Sequence, residues 1–214
     1  AMVILLMRRV PLGAVMAGVS CLLGLLFGLS PSAFGQVVQI TLTSVSNRVT
    51  VLAYLEKQVD LSRRYNRSLS LVLCDLDHFK DINDTLGHDK GDELLREVAL
   101  RIKSCASKTD IVARLGGDEF AIILSKCGDN KAAAAIAQQI TQKLNKPFKL
   151  RHNRADHYIS TSIGIVFYPQ DGADRKSLMK HADQAMYAAK LEGRNRFCYF
   201  TPSMQQAAHE KMLL

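Results

Sequence analysis

Aromatic residues are scarce in this chain, at 7% with no tryptophan among them, and no run of lysine and arginine is interleaved with them. That argues against a stacking platform for single-stranded nucleic acid, and no nucleic-acid partner is expected. The five cysteines (Cys21, Cys74, Cys105, Cys127 and Cys198) are odd in number and widely spread, with no C-x-x-C pair and no metal-ligand spacing. A zinc or disulfide scaffold is therefore not expected, and they read as small buried apolar residues in a reducing compartment. The chain also lacks the G-x-x-x-x-G-K-[ST] loop and the G-x-G-x-x-G fingerprint, so any nucleotide must be held in another way. Charge is missing in one place too: none occurs between Arg9 and Arg48.

That uncharged stretch contains Val10 to Leu29, apolar apart from glycine, proline and one serine. It is long enough to span a bilayer. A basic start at Arg8-Arg9 and the small residues Ala33 and Gly35 fit a secretory signal as well. Residues 1–40 are thus set apart as a hydrophobic anchor or signal-like segment, with membrane association through residues 10–29. Elsewhere basic residues dominate, for a net charge of +8 and a pI near 9.3, which suits an anionic partner such as a nucleotide, nucleic acid or lipid.

Beyond residue 41 strand and helix signals alternate. Val51 to Asn66 reads as an amphipathic helix and Leu69 to Asp75 as a short buried strand. Asp92 to Ser104 shows helical spacing, Val112 to Leu124 reads as a hairpin, and Ala132 to Leu144 as another helix. Tyr158 to Phe167 alternates as a strand, Arg175 to Lys190 is a long helix, and Phe197 to Phe200 a closing strand. This order predicts an α+β fold, a mixed sheet containing antiparallel strands flanked by helices.

Asp75 and Asp77 end an apolar strand two residues apart, so an extended backbone directs both carboxylates to one side. Buried acids need a positive partner, either Lys or Arg or a hard divalent cation. If the hairpin lies beside this strand, Asp118 and Glu119 bring two further acids to the same edge. Metal-bound carboxylates of this kind suit phosphoryl or nucleotidyl transfer. The Gly116-Gly117 turn between the hairpin strands then has a use, since a turn without side chains lets backbone N–H groups approach phosphate.

Four motifs in order, "DLDHFKDINDTLGHDKGDELL" at 75–95, "RLGGDEFAIIL" at 114–124, "STSIGIV" at 160–166 and "HADQAMYAAKLEGRN" at 181–195, resemble the GGDEF domain of diguanylate cyclases over about residues 41–200. The resemblance implies a ferredoxin-like, nucleotidyl-cyclase-like fold that condenses two GTP into cyclic di-GMP as a homodimer in bacterial signalling. It further implies two Mg2+ ions per half-site, with Mn2+ as a substitute, bound by Asp75, Asp118, Glu119 and the Leu76 carbonyl. By the same resemblance Glu119 and Asp118 are catalytic and Asn83 and Asp92 read guanine. Phe79, Lys80, Gly116, Gly117, Lys190 and Arg194 meet the phosphates. Asp77 reads as a cap or helix partner ahead of a metal ligand, His88 as a structural hydrogen-bonder, and Met179 and Met186 as core.

The departures are as informative as the matches. The family's entry pattern D-x-L-T-G-L-x-N-R is here "ITLTSVSNR", with Ile40, Ser44 and Ser46 replacing the acid, the glycine and a common proline. The R-x-x-D product site is here "SKTD", with Ser107 in place of arginine, so product feedback there is not expected. Residues 201–214 resemble a linker toward a phosphodiesterase domain, and the chain, starting at Ala1-Met2, reads as a fragment. An inner-membrane-tethered cytoplasmic cyclase is expected, and a non-catalytic GTP-binding module regulating a downstream phosphodiesterase is the alternative.

Overall fold

The computed structural model describes residues 31–125, 130–150 and 155–204, with side chains from residue 48 onward. The hydrophobic stretch at 10–29 and most of the linker at 201–214 lie outside the described residues. Among the described residues no helix is long and apolar enough to cross a membrane. By its contacts the chain divides into Ala1–Ser46 and Asn47–Leu214, and the second unit carries the fold.

Helix α1 (Pro31–Tyr65) leads into the central strand β1 (Leu69–Asp77). Helices α2 (Phe79–Leu86) and α3 (His88–Lys103) follow, then the hairpin β2 (Ile111–Gly116) and β3 (Glu119–Leu124). Helix α4 (Asn130–Leu144) and a two-stranded ribbon, β4 (Phe148–Lys149) with β5 (Asp156–His157), precede β6 (Ser160–Tyr168), α5 (Arg175–Leu191) and β7 (Arg196–Tyr199). The five-stranded sheet runs β2-β3-β1-β6-β7. Every pairing is antiparallel except β6 with β7. This is the expected α+β fold with a mixed sheet, and α2 and the β4–β5 ribbon are added to it.

Strand β1 is buried along its whole length because both sheet faces are covered. Leu69, Leu71 and Leu73 pack on one face with Val51, Leu55 and Val59 of α1 and with Leu178, Ala182 and Met186 of α5. Val72, Cys74 and Leu76 alternate to the other face, against Leu94, Leu95, Val98 and Ile102 of α3 and Ala133, Ala137 and Ile140 of α4. Gly164 of β6 explains how α5 settles so close to the sheet: a Cβ there would run into the Ala182 carbonyl and the Met186 amide. Helix α5 opens with a capping box in which the Asp174 side chain accepts from the Ser177 N–H at 2.7 Å.

Candidate active site

The odd-numbered positions of β1 that pack against α1 and α5 continue past Leu73 as Asp75 and Asp77. Antiparallel register sets Asp75 opposite Glu119 of β3 and opposite Ser162 of β6, and it sets Asp77 opposite Ser160. Cross-strand partners project from the same face, so the two acids of β1 and the first acid of β3 form one row. Asp118 lies at the hairpin tip, where its carbonyl accepts the Leu76 N–H at 3.3 Å. The tip itself is Gly116-Gly117, exposed and free of side chains, with Gly117 at φ 52 where other residues are strained. Arg114 braces this turn by donating from Nε to the Gly117 carbonyl at 2.8 Å.

The acids of this row are held in different ways. The side chain of Asp75 is 11% exposed and meets the Lys190 ammonium at 2.8 Å. Burial pushes its carboxyl above the ordinary aspartate range against the pull of Lys190, with Asp118 and Asp77 adding to the rise. Burial raises Glu119 as well, reinforced by Asp75, Asp183 and Asp118 and opposed by Arg48. Asp77 instead has three donors. Ser160 Oγ gives 2.6 Å and Ser162 Oγ 2.7 Å to its two oxygens, and the Asn195 N–H approaches at 3.2 Å. Asp77 is thus neither the cap nor the helix partner expected of it: it ties β1 to β6 and to the turn after α5.

The other residues singled out in the sequence lie around this row. Phe79 and Lys80 begin α2 directly after β1, Phe79 buried and Lys80 exposed. Asn83 sits half-buried on α2 and Asp92 exposed on α3. Arg194 lies in the exposed turn after α5, at φ 61, with its N–H on the Ala189 carbonyl. His88 is exposed at the start of α3, and Met186 is in the core as expected. At the "SKTD" turn, both the Ser107 N–H and its hydroxyl donate to Asp110, at 2.9 and 2.6 Å, which closes that turn on itself.

Ser160, Ser162 and Asn195 were not anticipated as partners of the acid row. For the two serines the available signal was their spacing in "STSIGIV", since residues two apart on a strand share a face; Asn195 carried none. Among the described residues no three acidic, imidazole or thiol side chains are close enough to hold a metal ion by themselves. The donor chemistry still fits magnesium, which commonly takes one or two carboxylates and completes its shell with water and substrate phosphate.

A central antiparallel strand ending in acids beside a Gly-Gly hairpin, with a lysine reaching in from the last helix, defines a nucleotidyl-cyclase-like domain. The sequence model for "Diguanylate cyclase, GGDEF domain" matches residues 41–196, and the chain belongs to that family. It is 41% identical over 173 residues to the bifunctional diguanylate cyclase/cyclic di-GMP phosphodiesterase MucR of Pseudomonas aeruginosa, covering 81% of this chain and 25% of that protein. It is 42% identical over 149 residues to the cyclic di-GMP phosphodiesterase PdeR of Escherichia coli, covering 70% of this chain and 22% of that one. The chain therefore spans about a quarter of the length of these relatives or less. The crystal structure of the GGDEF domain of PA1120 (YfiN or TpbB) from Pseudomonas aeruginosa superposes with a TM-score of 0.71 at 34% identity, over 74% of this chain and 98% of that one. These likenesses place the domain among those of cyclic di-GMP signalling proteins.

Proposed function

We propose that residues 41–200 form a diguanylate cyclase half-site, with 1–40 an anchor or signal-like lead and 201–214 a linker. The observation that carries this reading is the register of Asp75 against Glu119, beneath an open Gly-Gly turn and beside Lys190. Bound magnesium ions, or manganese in their place, held by Asp75, Asp118, Glu119 and the Leu76 carbonyl, would neutralise phosphate charge. Gly116 and Gly117 leave room for the phosphates, and the first amides of α2, at Phe79 and Lys80, face them. Lys190 and Arg194 supply cationic contacts. The Asp92 carboxylate accepts from guanine N1–H and N2–H₂ while Asn83 completes the base contact, a donor pair that adenine does not offer.

In the reaction the 3′-oxygen of one GTP bonds to the α-phosphorus of another, and the bond from that phosphorus to the pyrophosphate oxygen breaks. Glu119, whose carboxyl is raised above the ordinary glutamate value by burial and neighbouring acids, takes the hydroxyl proton. Each half-site holds one GTP, so two copies face each other and the homodimer is the catalytic unit. A cytoplasmic placement follows from the need for GTP. With Ser107 closing the "SKTD" turn, product feedback through that site is absent.

A second reading, a GTP-holding module that regulates a phosphodiesterase domain, is favoured by the altered entry residues Ile40, Ser44 and Ser46 and by the phosphodiesterase name of a relative at 42% identity. Chromatography of products after incubation with GTP and magnesium separates the two. Cyclic di-GMP from the parent at high protein concentration, and none from Glu119→Ala, supports the cyclase. Bound GTP without product selects the regulatory module.

A further inference from the structure

Gly91 closes the first turn of α3, where a glycine weakens a helix and alanine would strengthen it. It is buried all the same, with the side chain of Asn83 from α2 resting over it. A Cβ at Gly91 would overlap the Asn83 carboxamide, at both its oxygen and its carbon, and would also crowd the Phe79 ring at 3.2 Å. The next residue in the chain is Asp92. The two helices meet through a short link: the Gly87 N–H closes on the Asn83 carbonyl at 2.9 Å, and the Gly91 N–H on the Gly87 carbonyl at 3.2 Å.

From this we infer that Gly91 is a positioning residue for base recognition: its bare Cα, one residue before Asp92, is the surface on which the Asn83 carboxamide is seated. The inference rests on the guanine contacts proposed above for Asn83 and Asp92. Gly91 touches no nucleotide and acts first through Asn83, whose carboxamide a Cβ overlaps outright, whereas the Phe79 ring is only crowded. The atoms that a Cβ would meet first belong to the end of a flexible side chain, so a substituted domain relieves the overlap by swinging the carboxamide away and leaves the backbone in place. Folding is retained and the geometry of the reading pair is lost.

The test is calorimetric titration of the 214-residue chain with guanosine 5′-(α,β-methylene)triphosphate and with its adenosine counterpart, neither of which turns over. Gly91→Ala is expected to weaken the guanine analogue about tenfold, the value of one lost hydrogen bond, and to leave the adenine analogue unchanged. In the Asn83→Ala background, where there is no carboxamide to displace, Gly91→Ala is expected to have no further effect. That double variant also serves as the folded comparison. Unchanged guanine affinity in Gly91→Ala overturns the inference, and so does a further loss in the Asn83→Ala background. A parent chain with no preference for guanine overturns the base contacts themselves, an outcome separate from a parent that prefers guanine but is indifferent to Gly91.

Discussion

Asp75 and Asp77 stand two residues apart on one face of the same strand, and the fold surrounds them differently. Asp77 has hydroxyl donors on both oxygens and a backbone amide besides. Asp75, also buried, has one lysine among the acids Asp77, Asp118 and Glu119, and its charged form is disfavoured. A buried carboxylate with its hydrogen bonds complete is structural, because any change of partner leaves a polar group unpaired. One held by a single lysine at the rim of an open turn is ready to take another positive partner. Sequence spacing alone treats the two alike, and the difference comes from what β6 and α5 bring to each.

Several substitutions probe this contrast. The largest effect is expected from Asp75→Asn, which lowers cyclic di-GMP formation about a thousandfold while leaving the melting temperature at or above that of the parent. Product assay and calorimetric melting check the two halves, and a stability loss without an activity loss would reverse the assignment. Asp77→Ala is expected to do the opposite in kind. It orphans three donors and destabilises the domain by about 3 kcal/mol, measurable by urea unfolding.

Gly164→Ala acts on the helix that carries Lys190. Its Cβ pushes on the backbone of α5 at Ala182 and Met186, a cost of about 2 kcal/mol. It draws Lys190 away from Asp75 while leaving Ser160 and Ser162 on Asp77, so stabilised variants of the same helix report whether Lys190 placement or Asp77 pairing limits nucleotide binding.

The smallest effect falls at the far end of the same helix, where Asp174→Ala removes the capping box and lowers the melting temperature by a few degrees. The Ser177 N–H, then its hydroxyl, hold the Asp174 carboxyl below the ordinary value of 3.8. A lowered folded pKa stabilises above the unfolded value and loses that contribution as pH falls through the folded one. The melting curves of parent and variant therefore converge in acid, and a difference that persists there would remove the carboxylate from the cap.

Much of the architecture was legible from local pattern. The runs "LSLVLCD" at 69–75 and "YISTSIGIVF" at 158–167 read as strands without reference to the rest of the chain, and they became β1 and β6. Helix α2 was not legible, because its apolar residues Phe79, Ile82 and Leu86 cover barely two turns in a charged stretch. The β4–β5 ribbon was missed for a similar reason, with two residues per strand. Helix α5 was read almost to its ends, since its apolar positions repeat at the helical spacing over four turns.

By itself the sequence determined the family's four motifs, the order of strands and helices, and the concentration of acids at the end of β1 and at the hairpin tip, because each is a matter of residue type at short range. Tertiary structure decided which acids meet. Asp77 finds Ser160 and Ser162 more than eighty positions away, Asp75 finds Lys190 from the last helix, and Asn83 is seated on Gly91 where two helices cross. Partners that distant are set by strand register and helix packing, which depend on the whole folded chain and on no single stretch of it.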